Sequence, residues 1–484
     1  MSARKSRKEI IRISKEFDKA YEEGRLLEKM VNFFQCPTYL HVIWELREYF
    51  HKLSTDEIRT SEEICAVRSV LAAMEGKLEE AMTYHNYLPD DCKFKEYNHM
   101  VMPCITNEEF FESMHAIKNA NMPPNEAFSI SAGRLSLING FRDFTEYGNK
   151  WQEIKEHIIE AVHVVYGEAA VGVYEIAFAE LLYQRNKCLD ALVMAIGTIP
   201  FMEKMNDRRC LFVALALQFK ILVMNGQISS SGAFVEGLRK KVHEEGCDEL
   251  EQNVDAMEVW ASMYEGDYEK ISQWMEFEAP DEFEVINMLD TFRYMVKLRG
   301  YLACGKYMSV VNLVQTLKPI LEAGHRNMDM CEINLLLAIA LFEYGEKAGA
   351  FTVLDQTLDV AEKYRYDRLI GDEGEKMYHL LSAYEKSRGK SEYLTSVIEI
   401  AKKTGIMFPK YLKMQKDEYP TLTEMEINIL NLMKDARTNN EIGEYLNISL
   451  NTVKFHTKNI FQKLSVKNRT QAVKEAIEIG IINL

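Results

Sequence analysis

A residue able to take a left-handed backbone recurs about every 40 positions along the middle of this chain, each time at the end of an apolar run. The segments LVMNG (Gly226), MYEG (Gly266), LACG (Gly305) and FEYG (Gly345) stand 40, 39 and 40 residues apart, and LYQRN puts Asn186 another 40 upstream. TEYG places Gly148 a further 38 before that, AMEGKLEEA carries a weaker copy at Gly76, and EKSRG ends the series at Gly389. Each interval has one grammar: an apolar helix, a Gly or Asn of positive φ at its C-terminus, then a second helix opening with lines such as DYEKISQ, KYMSVVNLV or EKAGAFTVL. Strand signals are nearly absent from residues 1–410, where apolar residues recur at three- and four-residue spacing. One such helix pair cannot bury its apolar face alone, whereas stacked neighbours can, so a 40-residue period predicts an all-α chain built around an α-solenoid. A solenoid offers a concave surface, which is a binding device more often than a catalytic one.

Charge divides the chain in two. The whole carries -16, yet residues 420–484 hold 8 Lys/Arg against 7 Asp/Glu, which leaves 50 against 67 upstream. A body that acidic repels a phosphate backbone, so any nucleic-acid contact must be confined to a locally basic surface. One stretch qualifies: NTVKFHTKNIFQKLSVKNR, Asn451 to Arg469, has five Lys/Arg and no Asp or Glu. The basic start, Arg4 to Lys8, lacks an apolar segment behind it, and no run approaches the ~18 apolar residues of a membrane helix. Nine cysteines without a C-x-x-C pair point to neither a zinc site nor a disulfide framework. A cytoplasmic location, without membrane contact, is expected.

No phosphate-cradling G-x-x-x-x-G-K-[ST] or G-x-G-x-x-G occurs, nor H-E-x-x-H, nor G-x-S-x-G. His157 and Glu160 in KEHIIEA share a helix face, as chance pairs on solenoid helices do, and Asp90 and Asp91 sit in a PDD turn where Asp is favoured for backbone capping. The chain is therefore not expected to be an enzyme, nor to need a metal or cofactor.

From Pro420 onward the punctuation predicts four short helices. Thr423 and Glu426 form a capping box, Asn439 caps a second helix, Ser449 caps a third, and VKNR precedes a fourth starting near Thr470. Two helices joined by a turn of about four residues make the helix-turn-helix plan. At about 100° per residue, Val453, Thr457, Ile460 and Leu464 share one stripe of the third helix, and Asn451, Lys454, Phe455, Lys458 and Gln462 the opposite one. The second stripe suits the major groove: Lys donates to guanine O6 and N7, Asn or Gln pairs with adenine, and Phe touches a thymine methyl. Lys463, Lys467 and Arg469 come next, where phosphates would pass.

These residues resemble the LuxR-type helix-turn-helix. Leu422, Thr423 and Glu426 match its start, Asn439, Glu441, Ile442 and Leu446 its scaffold helix, and Thr452, Val453, Lys454, His456, Lys463, Leu464, Val466, Asn468, Arg469 and Ala472 the rest. Met425 stands where the family usually has Arg, Ala436 where it has Gly and Gly443 where it has Ala; the first puts an ion pair of Glu426 in doubt. The resemblance implies base reading by Lys454, Phe455 and Lys458, with Asn451 beside them. It implies backbone contacts for Thr452, Lys463 and Arg469, joined by Lys467, and dimerisation through the last helix by Gln471, Val473, Lys474 and Ile477. The solenoid in turn resembles the TPR-like repeat region of MalT-like bacterial activators, on RLSLINGFRDFTEYG (Arg134 to Gly148), AELLYQRNKCLDAL and YRYDRLIGDEGEKMYHLL. Members of that family place a nucleotide-binding switch domain ahead of the repeats; no phosphate loop for one occurs here.

The expected organisation is a helical extension over 1–35, the solenoid over 36–405, a linker over 406–419 and the helix-turn-helix domain over 420–484. The expected function is that of a bacterial transcription regulator, its terminal domain reading double-stranded promoter DNA as a homodimer and its solenoid sensing an unknown small molecule, peptide or protein. The alternative is an adaptor whose solenoid binds a protein or peptide and whose small domain serves dimerisation.

Overall fold

The structure, a computed structural model, describes the chain except residues 1–6, 36–37, 93, 101, 103–104, 120–133, 141, 229–230, 414–421, 447, 465, 479–480 and 483–484. Residues 4–6 of the basic arm and 414–419 of the expected 406–419 linker lie outside the described residues, whereas 406–413 are described and complete and follow the last solenoid helix, Glu392–Met407. Among the described residues the fold is all helix, with one isolated bridge between Asn139 and Asp143.

The 40-residue punctuation does what the spacing predicts at Asn186, Gly226, Gly266, Gly305 and Gly345, all of positive φ. At each the same bond forms, in which the next amide reaches back five residues: Lys187 N–H to Leu182 O at 2.9 Å, Gln227 to Leu222 at 3.0 Å, Asp267 to Ser262 at 3.1 Å, Lys306 to Tyr301 and Glu346 to Leu341 at 2.8 Å. That bond turns the chain sharply enough for the second helix to pack back on the first. Gly76 and Gly389 also have positive φ. Gly148 does not end a helix this way: it lies within the 3-10 helix Thr145–Lys150, where a Cβ would come 3.1 Å from Leu181 Cδ2. Close packing, not a turn, is what a glycine serves there.

The first helices of the five repeats are Ala170–Gln184, Arg208–Met224, Glu251–Glu265, Thr291–Ala303 and Asn327–Tyr344. They are buried on most sides, as helices that are apolar all round must be. The second helices, Cys188–Met205, Ser231–Glu244, Tyr268–Phe277, Tyr307–Ala323 and Lys347–Tyr364, form the outer layer. Phe17, Met30 and Phe34 pack into the same core as Val42, Leu71 and Met114, so the amino-terminal helices are continuous with the solenoid. Phe408, Tyr411 and Leu412 likewise belong to the solenoid core, Tyr411 stacking on Tyr264 at 4.1 Å. The stretch Lys155–Gln184 is long and apolar enough by composition to cross a membrane, but 67% of its most apolar window is buried inside the protein.

The array curves until its start meets its end. Arg134 Nη2 donates to Asp329 at 3.0 Å, Asn149 Nδ2 to Lys363 O at 3.0 Å and Leu369 N to Gln184 Oε1 at 3.1 Å. The turn Asp372–Glu373 plugs the inside, receiving Tyr183 Oη at 2.6 Å, Tyr411 Oη at 2.9 Å and Arg299 Nε at 3.0 Å. Between the segment 134–139 and the inner helices lies a cavity of about 160 Å³. On its wall Glu180 accepts the amides of Leu137 and Ile138 at 2.9 and 3.0 Å.

Burial pushes the Glu180 carboxyl up to about 7 against the pull of those amides, from an ordinary 4.5. The folded chain thus holds a proton that the unfolded chain releases near 4.5, so stability falls as pH rises from there and the whole cost is present above about 7. Glu180→Gln keeps an oxygen for both amides and removes the titration. Urea unfolding of both proteins is expected to show the variant gaining on the wild type, by up to ~3 kcal/mol, between about pH 5 and pH 8.

Candidate nucleic-acid interface

The carboxy-terminal domain has a core of its own, in which Ile429, Leu430, Met433, Ile442, Val453, Ile460, Leu464, Val466, Ala472 and Ala476 pack together. Its helices are Glu424–Lys434, Asn439–Leu446, Leu450–Lys463 and Arg469–Glu478. The Thr423–Glu426 capping box forms as expected, with Thr423 N–H donating to Glu426 at 2.7 Å. The second helix is capped one residue earlier than expected: Thr438, not Asn439, makes the box, its N–H donating to Glu441 at 2.7 Å. A Thr three residues before Glu is the sequence signal for it. Ser449 caps the third helix through the amide of Thr452 at 3.1 Å.

The third helix divides as its sequence does. Val453, Ile460 and Leu464 are buried, while Asn451, Lys454, Phe455, Lys458 and Gln462 are exposed, Phe455 at 61%. Leu450 and Tyr445 extend this surface, Tyr445 with the Arg437 guanidinium 5.3 Å from its ring. An exposed aromatic between two lysines on an acid-free face is a surface made to be covered by something anionic with apolar edges.

The residues expected at phosphates have internal partners. Lys463 donates to Glu426 at 3.0 Å, supplying the ion pair that Met425 puts in doubt. Burial alone would raise the Glu426 carboxyl, but the Thr423 amide and Lys463 outweigh it and hold it below the ordinary range. Arg469 donates to the carbonyls of Leu432 and Met433 at 3.2 and 3.0 Å, capping the C-terminus of the first helix. The Thr452 hydroxyl lies 2.7 Å from Ser449 Oγ.

The other candidates face the solenoid. Lys467 Nζ donates to Thr316 Oγ1, Gln471 Nε2 to Asn312 Oδ1 at 3.2 Å, and the Lys474 ammonium sits 5.6 Å from the Tyr344 ring centre. From the other side Lys306 Nζ donates to Lys463 O at 3.0 Å. Val473 and Ile477 pack partly buried against the domain core. One side of the domain, with the last helix, is therefore docked on helix Tyr307–Ala323, and the third helix's basic face is left open.

Ala436 holds φ +58, a left-handed conformation that a Cβ disfavours. Ala436→Gly is expected to stabilise the domain by ~1 kcal/mol, measurable as a raised unfolding midpoint. Gly443 is the reverse case: a Cβ there would meet Ile448 O at 2.9 Å, so the turn closes onto the second helix because the side chain is missing.

Residues 420–476 match the family model described as bacterial regulatory proteins of the luxR family, and residues 152–387 the one described as the MalT-like TPR region. The terminal domain belongs to the LuxR family. Among relatives, the transcriptional regulatory protein DegU of Brevibacillus brevis is 49% identical over 63 residues, 13% of this chain and 27% of that protein. The CsgBAC operon transcriptional regulatory protein of Escherichia coli K12 is 52% identical over 59 residues, 12% and 27%. The response regulator protein VraR of Staphylococcus aureus NCTC 8325 is 35% identical over 96 residues, 20% and 43%. The matched stretch thus spans well under two thirds of each relative's length.

His157 and Glu160 lie near each other on their helix, but each is engaged chiefly with another group. His157 packs 5.5 Å from Phe111 and 5.6 Å from His115, while Glu160 pairs with Lys118. Among the described residues no group of three or more His, Cys, Asp or Glu is placed to hold a metal ion.

Proposed function

We propose that this protein regulates transcription by laying the helix Leu450–Lys463 in the major groove of promoter DNA. Lys454, Phe455, Lys458 and Asn451 read base edges, and Lys467 and the end of that helix meet the backbone. The observation that carries this reading is the acid-free exposed face with Phe455 between Lys454 and Lys458, on the second helix of a helix-turn-helix in a LuxR-family domain. Thr452, Lys463 and Arg469 contribute by fixing the helix, with their internal bonds, at the angle the groove needs.

Paired half-sites call for two copies, joined through Gln471, Val473, Lys474 and Ile477. Gln471 and Lys474 lie against the solenoid in this conformation, so pairing requires the domain to leave helix Tyr307–Ala323. In this reading the solenoid senses an effector and sets how often the domain is released. Duplexes selected from a random pool by the full chain are the test substrate. A fragment lacking residues 1–410 is expected to bind them more tightly and as a dimer; equal affinity and a monomeric fragment on DNA would sink the release mechanism. Failure of both the full chain and the fragment to enrich any sequence would sink the regulator reading and favour the adaptor.

A further inference from the structure

Six residues before each punctuating Asn186, Gly226, Gly266 and Gly305 stand Glu180, Lys220, Trp260 and Arg299, and all four line the same cavity. Four successive repeats thus deliver an acid, a base, an aromatic and a second base to the same space. We propose that this cavity takes a small organic acid built on a single apolar ring, the carboxylate meeting Lys220 Nζ and the ring lying against Phe219, Met257 and Trp260.

The charges around the wall decide the polarity of the ligand. Arg134 is consumed by Asp329 at 3.0 Å, and Arg299 by Glu332 at 2.7 Å together with Glu373. Lys220 is half-buried, its ammonium 5.0 Å from the Tyr183 ring; its charge pulls on the Glu180 carboxyl, but no carboxylate is in ion-pair range among the described residues. A half-buried cation without an ion-paired partner is costly, and an anion bound beside it lowers the cost. Glu180 is a weak competitor for that role, because burial pushes its carboxyl up to about 7 even with one oxygen held by the amides of Leu137 and Ile138. Asn139, 7% exposed, also lines the cavity, and its Oδ1 has no hydrogen-bond partner among the described residues, which offers an acceptor to a hydroxyl or N–H on the ring.

Size limits the rest of the molecule. A volume of about 160 Å³ is close to the ~150 Å³ of an engineered cavity that holds one benzene ring. The aromatic and thioether floor with a few convergent polar groups is the usual make-up of a small-molecule site. That the ligand acts as an effector rests on the reading of the chain as a regulator; that it binds does not.

The test is calorimetric titration of the full chain, without DNA, with benzoate, phenylacetate and 3-phenylpropanoate, each beside its own primary amide. At least one acid is expected to bind, its amide about tenfold or more weaker, and Lys220→Met to lose a similar factor for the acid alone. Heat from none of the acids, or equal affinity for acid and amide on the unaltered protein, overturns the proposal without recourse to the variant. The acid that binds is then added to the DNA titration: a changed affinity supports the effector role, and an unchanged one removes it. A protein that binds the acid but no DNA would overturn the regulator reading alone.

Discussion

The Lys454→Ala, Lys458→Ala double variant is expected to lose roughly 2 to 6 kcal/mol of binding to its selected duplex, at ~1 to 3 kcal/mol for each base contact. Its affinity for random duplex should fall far less. Both side chains are exposed and, among the described residues, have no internal partner that the substitution would strand, so the fold is expected to survive, and an unchanged melting curve checks that. Lys467→Ala serves as the contrast, made in the fragment lacking residues 1–410 so that the loss of its bond to Thr316 has no bearing. It should weaken selected and random duplexes alike and lower the slope of log affinity against log salt by about 1. Equal losses on both kinds of DNA from the double variant would move Lys454 and Lys458 from base edges to phosphates.

The largest stability effect is expected at Asp329. Its carboxylate receives Arg134 at 3.0 Å, Arg326 at 2.9 Å and Asn139 at 2.7 Å, all buried. Burial would raise its carboxyl, but the two guanidinium groups outweigh it and bring it down to about 2. Asp329→Ala leaves two buried arginines without a counter-charge, a change that costs ~3 to 5 kcal/mol. Chemical unfolding should show that loss, while Asp329→Asn, which keeps acceptors for some of the bonds, should lose less. A cost near zero would mean that water reaches the two arginines and that the segment at Arg134 is not sealed against the helix Asn327–Tyr344.

How far these features are legible in the sequence depends on their range. The repeat is legible because Asn186, Gly226, Gly266, Gly305 and Gly345 each close a turn within six residues, and such local requirements print directly into sequence. The faces of the third helix are legible because their period is that of the helix itself. Gly148 fits the spacing and fails the mechanism, since a glycine that serves close packing against Leu181 looks the same as one needed for a turn. The partners of Lys463, Arg469 and Gln471 are not legible, because Glu426, Met433 and Asn312 are set by which helices meet and not by any local rule. The inner wall lies between these cases. Reading the position six residues before each turn places Glu180, Lys220, Trp260 and Arg299 together, a step available once the period is known.

An open solenoid is modular, stable in proportion to the number of its repeats and tolerant of gaining or losing one. The clasp of Arg134 on Asp329, with Gln184 on Leu369 and the Asp372–Glu373 plug beneath Tyr183, ends that freedom. The array has a counted circumference: one more 40-residue unit would carry Asp329 past Arg134, and one fewer would leave it short. Its repeat number is therefore fixed by closure, and its inner wall is inherited as a set rather than repeat by repeat.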